Sequence, residues 1–453
     1  MVEMRSPSWS ASATIGSLAG PSGGRFVATS RRGARSARTT TSRRLLEPAT
    51  CRRDRYEPDR EETFMARALI LGGSFGGISA ALTLRRLLDP ADEVVLVERR
   101  SIFAMGLRKN WALAGIEPHE AGERPLARLR DRGIDVWHAS VVAIDPAALA
   151  AEVELLEPSG APSGRLEWVG GDALVVALGT ERDVGRIPGL REYAIDAYDA
   201  SRVAESARRV ADFDGGRVVV GIFGAPYPCP PGPYELAVLL AERFESRGLS
   251  FGMLVFTPLP KSLPILGEAG CAAFDGYLAG AGISLRTNTQ AVEVRPGEVV
   301  TTDGIVPFDL LLGIPPHRAP AVVAASGLTG PSGWVAVDPR TLETRFKDVY
   351  AVGDVVAIPL ASGGALPKAG VFAAAEGEVV AERIAARFAR RTPEATFGGE
   401  GVCFMETGRG MAAMVRGRFL DNPPQVELTP AAPEHLAAKR AFEAERLAAW
   451  FGA

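Results

Sequence analysis

The chain has few of the residues that build metal sites. Its 453 residues include four cysteines and four histidines. No two cysteines form a CxxC pair, and no cysteines and histidines stand at the spacing of zinc ligands. The histidines are scattered along the chain rather than clustered. The sequence therefore predicts that the protein holds no metal.

Long apolar runs and a strong net charge are also lacking. No apolar stretch reaches the ~18 residues that a membrane-spanning helix needs, so any membrane contact should be peripheral. The net charge of −3 gives no indication of a nucleic-acid partner. Hydrophobic residues make up 47% and charged residues 23%, as in ordinary globular proteins, and the length predicts two or three domains. We therefore expect a cytoplasmic protein, with peripheral attachment to a membrane left open.

The first 64 residues differ from the rest of the chain. They contain 12 arginines and seven acidic residues, are rich in serine, threonine and glycine, and show no hydrophobic periodicity. This composition is typical of disorder. A transit-like leader would share this character, but a secretory signal is excluded because no apolar core follows the arginine pairs. Because Met65 opens a natural first strand, we interpret residues 1–65 as a disordered extension or an upstream start.

A glycine-rich turn between a strand and a helix indicates nucleotide binding. The stretch "RALILGGSFGGISAALTLRRLL" places Gly72, Ser74 and Gly77 on the GxGxxG pattern, and "DEVVLVERR" follows as a second strand. Gly72 permits the tight turn and Gly77 lets the helix pack on the strand, while Ser74 replaces the usual middle glycine. Glu98 ends the second strand, where it is placed to accept hydrogen bonds from ribose hydroxyls. The unit predicts a dinucleotide site of the Rossmann type.

Two further stretches resemble the second and third FAD motifs of the pyridine nucleotide-disulfide reductase superfamily. They are "ALGT", which contains Gly179, and "YAVGD", which contains Gly353 and Asp354. The resemblance implies that Asp354 holds the ribityl or phosphate end of the flavin, although this residue could instead cap a helix. A helix opened by "LPKAG" would aim its positive end, with Lys368, at the flavin ring. Lys368 could equally be a solvated loop lysine.

A second strand-turn-helix unit replaces its glycine turn with "GAPYPCPPGPYE", residues 224–235. A dinucleotide loop directs backbone N–H groups at phosphate, and the five prolines here have none. The next strand, "FGMLVFTP", ends without the acid of an NAD site or the arginine of an NADP site. What remains is Cys229 in a stiff loop just before a helix, whose dipole should lower the pKa of the thiol. We interpret Cys229 as a catalytic thiol; the alternative is a buried structural cysteine.

The string "CPPGPYE" resembles the flavoprotein subunit of flavocytochrome c sulfide dehydrogenase, a relative of sulfide:quinone oxidoreductases. The resemblance runs from about Ala66 to the C-terminus and includes "IPPHRA", "GLTGPSGWVAVDPRTLET", "VYAVGD", "LPKAG" and the closing "WFG". It implies that sulfide attacks a disulfide near the flavin. It also implies that electrons pass through a cysteine–flavin adduct to FAD and then to haem or quinone.

Three departures from this family matter. The partner cysteine of the family follows the tryptophan of a "GW" pair, and here Val335 occupies that position. The segment "FAMGLRKN", where the flavocytochrome attaches its flavin, has no cysteine, so FAD should be bound non-covalently. Cys271 in an apparent helix and Cys403 on a strand of the tail do not lie where the family has its redox partner. The disulfide route of the family is therefore in doubt for this chain.

Other residues admit two interpretations. His317 could face the flavin or cap a turn, and Lys109 is a further candidate in the segment where such flavoproteins contact the flavin. The final helix carries Leu447, Trp450 and Phe451 on one side. This stripe fits a membrane surface, but docking on its own domain or on a dimer partner is favoured.

The βαβ units together predict an α/β fold with two Rossmann-like domains, the second inserted in the first. We expect the FAD-binding domain in residues 66–183 and 316–392, and the second Rossmann-like domain, which carries Cys229, in residues 184–315. A small C-terminal α+β domain should occupy residues 393–453.

The expected function is FAD-dependent oxidoreduction of the sulfide dehydrogenase type. Electrons would pass from a sulfide-like or thiol donor through flavin to a quinone or a redox-protein acceptor. One alternative is an NAD(P)H:acceptor reductase, and another is a non-catalytic flavin-binding redox partner. A homodimer stays open.

Overall fold

The computed structural model describes residues 65–452, so the interpretation of the first 64 residues lies outside the described part. The strands, in chain order, are β1 (Arg67–Leu71), β2 (Glu93–Glu98), β3 (Ile102–Ala104), β4 (Glu123–Pro125), β5 (Asp135–Asp145), β6 (Ala150–Leu156), β7 (Pro162–Gly170), β8 (Ala173–Val176), β9 (Glu181–Arg182), β10 (Ile195–Asp196), β11 (Gly216–Ile222), β12 (Phe251–Phe256), β13 (Ile283–Arg286), β14 (Ala291–Arg295), β15 (Glu298–Thr301), β16 (Gly304–Pro307), β17 (Leu310–Ile314), β18 (His317–Arg318), β19 (Val349–Ala351), β20 (Glu400–Gly408), β21 (Met411–Arg418) and β22 (Gln425–Ala432).

The α-helices are α1 (Phe75–Leu87), α2 (Arg108–Leu113), α3 (Leu190–Tyr193), α4 (Val203–Ala211), α5 (Gly232–Ser246), α6 (Gly267–Gly280), α7 (Ala321–Ala325), α8 (Gly370–Phe388) and α9 (Pro433–Phe451). Short 3₁₀ turns occur at His119–Gly122, Leu126–Arg132, Ala200–Arg202, Pro264–Leu266 and Gly353–Val355.

The largest sheet has seven strands in the order β19-β8-β1-β2-β5-β6-β7. The five strands from β19 to β5 are parallel, and β6 and β7 continue the sheet as an antiparallel hairpin. The apolar runs in β1 and β8 are buried on both faces, as central strands of a parallel sheet require. The glycine-rich turn therefore follows a central strand at its carboxyl end, where nucleotides bind in such sheets.

A second sheet is entirely parallel, with the order β10-β17-β11-β12-β13. All its strands fall between β8 and β19 in the chain, and β19 then returns to the seven-stranded sheet. The α/β class with two Rossmann-like sheets is confirmed. The domain boundaries given above stay predictions.

The C-terminal part consists of the antiparallel sheet β20-β21-β22 followed by α9. The ring of Trp450 in α9 lies 5.4 Å from the ring of Phe75 and 5.5 Å from that of Phe103, measured between centroids. Leu447 and Phe451 are buried as well. The apolar side of α9 thus docks on its own chain, which is the favoured interpretation of the two.

Helices α1 and α8 pack at very short range because glycines line their contact. A Cβ atom on Gly377 of α8 would lie 2.3 Å from the backbone oxygen of Gly76 in α1. A Cβ atom on Gly370, the first residue of α8, would lie 2.8 Å from the ring of Phe75, the first residue of α1. The two helix N-termini are therefore neighbours, and both present the positive ends of their dipoles to the same region.

Candidate flavin and thiol site

The glycine-rich turn after β1 is as tight as its sequence requires. Gly72 has a φ of +108°, and a Cβ atom there would lie 2.3 Å from the backbone oxygen of Ala177. A Cβ atom on Gly77 would lie 1.8 Å from the backbone oxygen of Gly72. Ser74 is the N-cap residue of α1, and its side chain makes no capping hydrogen bond. The turn therefore leaves the first amides of α1 open to an anion.

Glu98 lies beside this turn, at the end of β2. Its Oε2 accepts a hydrogen bond from the Gly73 amide at 2.7 Å, and its Oε1 accepts from the amide and the Nε of Arg100, both at 3.0 Å. Burial raises the pKa of the carboxyl, but the Arg100 cation and these hydrogen bonds outweigh burial, so the pKa lies below its usual range. Glu98 is thus ionised and fixed next to the turn. Its contact with ribose stays a prediction.

Gly179 and Gly353 follow neighbouring strands, β8 and β19, and both have positive φ, +66° and +75°. The amide of Gly353 donates to Oε2 of Glu376 at 2.5 Å, and burial raises the pKa of that carboxyl to about 7. Both glycines therefore turn the chain at the same edge of the seven-stranded sheet.

Asp354 lies in the 3₁₀ turn that follows β19. Burial raises the pKa of its carboxyl, and the cations of Lys368 and Lys109 oppose that rise. The helix-cap alternative is wrong, because Val352 precedes the 3₁₀ turn as its N-cap and Ala369 is the N-cap of α8. Asp354 is instead presented at the edge of the sheet, near two lysines.

Lys368 is not a solvated loop residue; that alternative is wrong. Its side chain is 6% exposed, and its Nζ donates to the backbone oxygens of Asp354 at 2.6 Å and Val356 at 2.8 Å. The Nζ also lies 3.6 Å from the ring centroid of Trp334. Burial lowers the pKa of the ammonium to about 8. Lys368 ties the start of α8 to the segment that carries Asp354.

The backbone of Cys229 joins the starts of two helices. Its amide donates to the backbone oxygen of Lys368, just before α8, at 2.7 Å. Its own oxygen accepts from the amide of Gly232, the first residue of α5, at 2.8 Å, and from the hydroxyl of Tyr198 at 3.2 Å. Cys229 has a φ of +51°, a conformation that is uncommon outside glycine. Its side chain is exposed.

The expected lowering of the Cys229 pKa is wrong. Although the residue is exposed as a whole, desolvation of the thiol by the surrounding protein raises its pKa to about 11. Glu235 adds to this rise, whereas Lys109, Lys439 and the Gly232 amide oppose it. The Gly232 amide at the start of α5 lowers the pKa of the thiol, as the sequence predicted, but desolvation raises that pKa by more. A thiolate at Cys229 therefore depends on nearby cations.

Sequence reasoning gave Lys109 little weight and missed Tyr198. The Nζ of Lys109 lies 4.7 Å from the ring centroid of Tyr198, whose ring is 5.8 Å from that of His317. His317 donates from Nδ1 to the oxygen of Pro315 at 2.8 Å, and burial lowers its pKa to about 4. This bond is the turn contact that was favoured for His317. No local motif marks Tyr198, which reaches Cys229 only through the tertiary fold.

The three cysteines of residues 65–452 form no disulfide: Cys229, Cys271 and Cys403 are free. Cys271 is buried in α6, and its Sγ donates to the oxygen of Leu263 at 3.1 Å, as a packed structural cysteine would. Val335 is fully buried, and its amide donates to the oxygen of Val355. Within the described residues, the thiol of Cys229 has no disulfide partner.

Two aromatic side chains pack together at the carboxyl end of the second sheet, where a dinucleotide would lie. The ring of Phe223, just after β11, packs on that of Phe256, the last residue of β12, at 5.3 Å. A Cβ atom on Gly224 would lie 2.9 Å from Cβ of Pro316. These contacts and the proline loop do not suit a pyrophosphate.

The first sheet fits FAD better. The turn at Gly72 and the N-terminus of α1 suit a pyrophosphate, and Glu98 lies where a ribose would follow. Gly353, Asp354 and the N-terminus of α8 would meet the flavin end, next to Cys229.

Within residues 65–452, no helix is long and apolar enough to cross a membrane. In the same residues, no three His, Cys, Asp or Glu side chains are grouped to hold a metal ion.

Comparisons with known proteins agree with this fit. The family described as pyridine nucleotide-disulphide oxidoreductase matches residues 66–377. A mitochondrial sulfide:quinone oxidoreductase of Mus musculus is 24% identical over 312 residues, which cover 64% of this chain and 66% of that protein. A sulfide-quinone reductase of Aquifex aeolicus is 25% identical over 308 residues, which cover 64% and 68%. The match thus spans about two thirds of these relatives.

Solved structures show the same fold. The sulfide:quinone oxidoreductase of Aquifex aeolicus superimposes with a TM-score of 0.75 and 22% identity, covering 85% of this chain and 91% of that chain. The family match confirms the resemblance read from the motifs, the oxidoreductase class and FAD as the cofactor of the family. The chain belongs to the pyridine nucleotide-disulphide oxidoreductase family, whose members are FAD-dependent enzymes.

Proposed function

We propose that this protein uses Cys229 to oxidise a small sulfide or thiol donor and passes the electrons through FAD to a quinone. The observation that carries the proposal is the hydrogen bond from the Cys229 amide to the backbone oxygen of Lys368. This bond fixes the thiol-bearing residue at the N-terminus of α8, the helix whose positive end would face the flavin. The relatives named as sulfide:quinone oxidoreductases support the same donor and acceptor.

The proposed chemistry needs no second cysteine of the protein. The Cys229 thiol and a donor thiol together lose two electrons and two protons, and a sulfur–sulfur bond forms between them. A second donor thiol then attacks this bond, releases the two donor sulfurs as a disulfide or polysulfide, and restores the Cys229 thiol. Bound FAD would accept the two electrons and deliver them to the quinone. This sequence is compatible with Val335 at the position of the usual partner.

Reduction by NAD(P)H is the second candidate. Its support comes from relatives alone: a demethylphylloquinone reductase and an alternative NAD(P)H-ubiquinone oxidoreductase also match the chain. The aromatic contact between Phe223 and Phe256 and the proline loop argue against it, because they lie at the carboxyl end of the second sheet, where this kind of fold holds a dinucleotide. A protein that binds flavin without turnover is the third candidate.

An anaerobic titration of the holoprotein with sodium sulfide, a small thiol and NADH tests these candidates, with flavin absorbance as the readout. We expect sulfide or the thiol to bleach the flavin. We expect Cys229→Ser to retain FAD but to slow this reduction at least about 100-fold. The serine hydroxyl is a far weaker nucleophile than the thiol and cannot form the sulfur–sulfur bond. Cys271→Ser, which alters a packed cysteine away from the site, is the control and should change the rate less than about twofold.

Two results would contradict the proposal. If sulfide reduces the flavin of Cys229→Ser as fast as that of the natural protein, Cys229 takes no part in the reaction. NADH that bleaches the flavin while sulfide and thiols do not would establish the second candidate. A folded, flavin-loaded protein that none of these donors reduces would favour the third.

A further inference from the structure

We propose that Lys109, Tyr198 and Cys229 form a binding site for the anionic form of the donor, a hydrosulfide or small thiolate, with the Lys109 ammonium as its counter-ion. This inference rests on the proposed function and adds to it the charge of the donor and a residue that contacts it. From the sequence, Lys109 was only a candidate contact of the flavin, and the comparisons assign it no role. The site is argued from how three separate segments meet.

The first step is that α2 is fixed to the start of α5. Asn110, the residue after Lys109, donates from Nδ2 to the oxygen of Gly232 at 3.0 Å and to Oε1 of Glu235 at 2.9 Å. Asn110 is 8% exposed, so these bonds are shielded from water. Lys109 is therefore held next to the loop that carries Cys229.

The second step is that Tyr198 contacts both residues. Its hydroxyl donates to the oxygen of Cys229 at 3.2 Å, and its ring lies under the Nζ of Lys109 at 4.7 Å. A Cβ atom on Gly232 would lie 2.8 Å from the Tyr198 hydroxyl oxygen and 3.4 Å from the Cys229 Sγ. The absence of a side chain at Gly232 thus keeps the hydroxyl and the thiol close together. Lys109 and Cys229 therefore both contact the same tyrosine, one through its ring and the other through its hydroxyl.

The third step concerns what the ammonium contacts. Among residues 65–452, the Lys109 side chain makes no hydrogen bond or salt bridge, and its contact is the face of the Tyr198 ring. Three other lysines differ, since Lys261, Lys368 and Lys439 donate to carboxylates or backbone oxygens. A cation on an aromatic face retains N–H groups for a further acceptor. A small anion beside Cys229 would supply that acceptor.

The electrostatics around Lys109 and Cys229 agree with this geometry. Burial lowers the pKa of the Lys109 ammonium, and Cys229 is the strongest of the acidic groups that oppose this. Lys109 in turn is the first cation that opposes the raised pKa of Cys229. The titratable groups that act on the two residues come from several elements: Glu235 of α5, Lys439 of α9, Arg182 of β9, Asp196 of β10 and Asp354 of the 3₁₀ turn. A thiolate or hydrosulfide placed here is stabilised chiefly by Lys109, because Lys439 is bound to Glu235 and Glu406.

Alkylation of Cys229 in the holoprotein tests the site without any donor. Iodoacetate and iodoacetamide have the same reactive group, but only the first is an anion, so the ratio of their rates at Cys229 reports the local charge. The rates are measured for the peptide that contains Cys229 by mass spectrometry, over a range of pH. We expect Lys109→Gln to lower the ratio about 5- to 10-fold, the effect of one nearby charge in a partly solvated site. Lys109→Arg should retain the ratio, and Lys347→Gln, at an exposed lysine elsewhere, should leave it unchanged.

The same variants are then mixed with sodium sulfide. We expect Lys109→Gln to weaken the apparent affinity for sulfide by a similar factor and to shift the alkylation profile of Cys229 to higher pH. If Lys109→Gln does not fold, Tyr198→Leu, which removes the ring under the ammonium, should lower the alkylation ratio in the same way. An unchanged alkylation ratio in the folded variant would overturn the anion site even if sulfide reduces the flavin. A lowered ratio in a protein that sulfide fails to reduce would support the anion site and reject the proposed function.

Discussion

Replacing Lys439 with methionine is expected to destabilise the protein by about 3–5 kcal/mol, because two buried carboxylates lose their counter-ion. Lys439 in α9 is 4% exposed, and its Nζ lies 2.8 Å from Oε2 of Glu235 and 2.7 Å from Oε1 of Glu406. The Glu406 amide also donates to Oε2 of Glu235 at 3.0 Å, and Oε1 of Glu406 accepts from Nε1 of Trp111. The network thereby joins α9, α5, β20 and α2, the elements around Cys229.

The sign of the pH dependence follows from the same charges. Burial alone lowers the pKa of the Lys439 ammonium, but Glu235 and Glu406 raise it above its usual range. Its stabilising effect is therefore fully present at neutral pH and is lost only as the pH rises through that raised value. The deficit of Lys439→Met relative to the natural protein should therefore be present in full at pH 8.

Urea unfolding of the natural and the Lys439→Met holoproteins at pH 8 measures this effect. Lys261→Met is the matched control, since Lys261 pairs with Glu268, whose side chain is 88% exposed, and exposed pairs contribute less than about 1 kcal/mol. Changing both glutamates to glutamine together with Lys439→Met should recover part of the loss, because no uncompensated charge then remains. Equal losses in Lys439→Met and Lys261→Met would contradict the buried network as a source of stability.

The sequence predicted well those parts of the protein whose conformation depends on one short segment. The turn from β1 to α1 is such a segment, because the positive φ of Gly72 and the contact of Gly77 arise within six residues. The unusual conformation of Cys229 likewise arises in a loop whose prolines were visible in the sequence. Alternation of apolar strands and helices was sufficient for the α/β class.

What sequence did not predict depends on residues far apart in the chain. Lys439 and Glu235 are 204 positions apart, and Tyr198 lies 31 positions from the Cys229 oxygen that it contacts. No periodicity encodes such pairs, because they arise only when separate elements pack. The pKa of Cys229 was predicted wrongly for the same reason. The sequence shows that a helix follows Cys229, but it does not show which distant residues pack around the thiol and desolvate it. Long-range packing therefore decides the chemistry of the site more than the motif does.

The second large effect is expected at the glycine-rich turn. Gly77→Ala should destabilise the protein by about 3 kcal/mol or more and abolish retention of FAD through purification. The added Cβ would lie 1.8 Å from the backbone oxygen of Gly72, a distance at which a rotamer change offers no relief. The start of α1 must then move away from β1, and its amides leave the place where they would meet the pyrophosphate.

Gly276→Ala is the matched control, since Gly276 is also a helical glycine, in α6, and a Cβ there has no neighbour within 4 Å. Alanine favours a helix over glycine by up to about 1 kcal/mol, so this variant should be as stable as the natural protein or slightly more so, with FAD retained. The flavin-to-protein absorbance ratio and urea unfolding measure both variants. Full FAD content in Gly77→Ala would show that the contact between α1 and β1 can relax without affecting the cofactor. The close approach at Gly77 would then serve packing alone, and the role of this turn in binding FAD would be wrong.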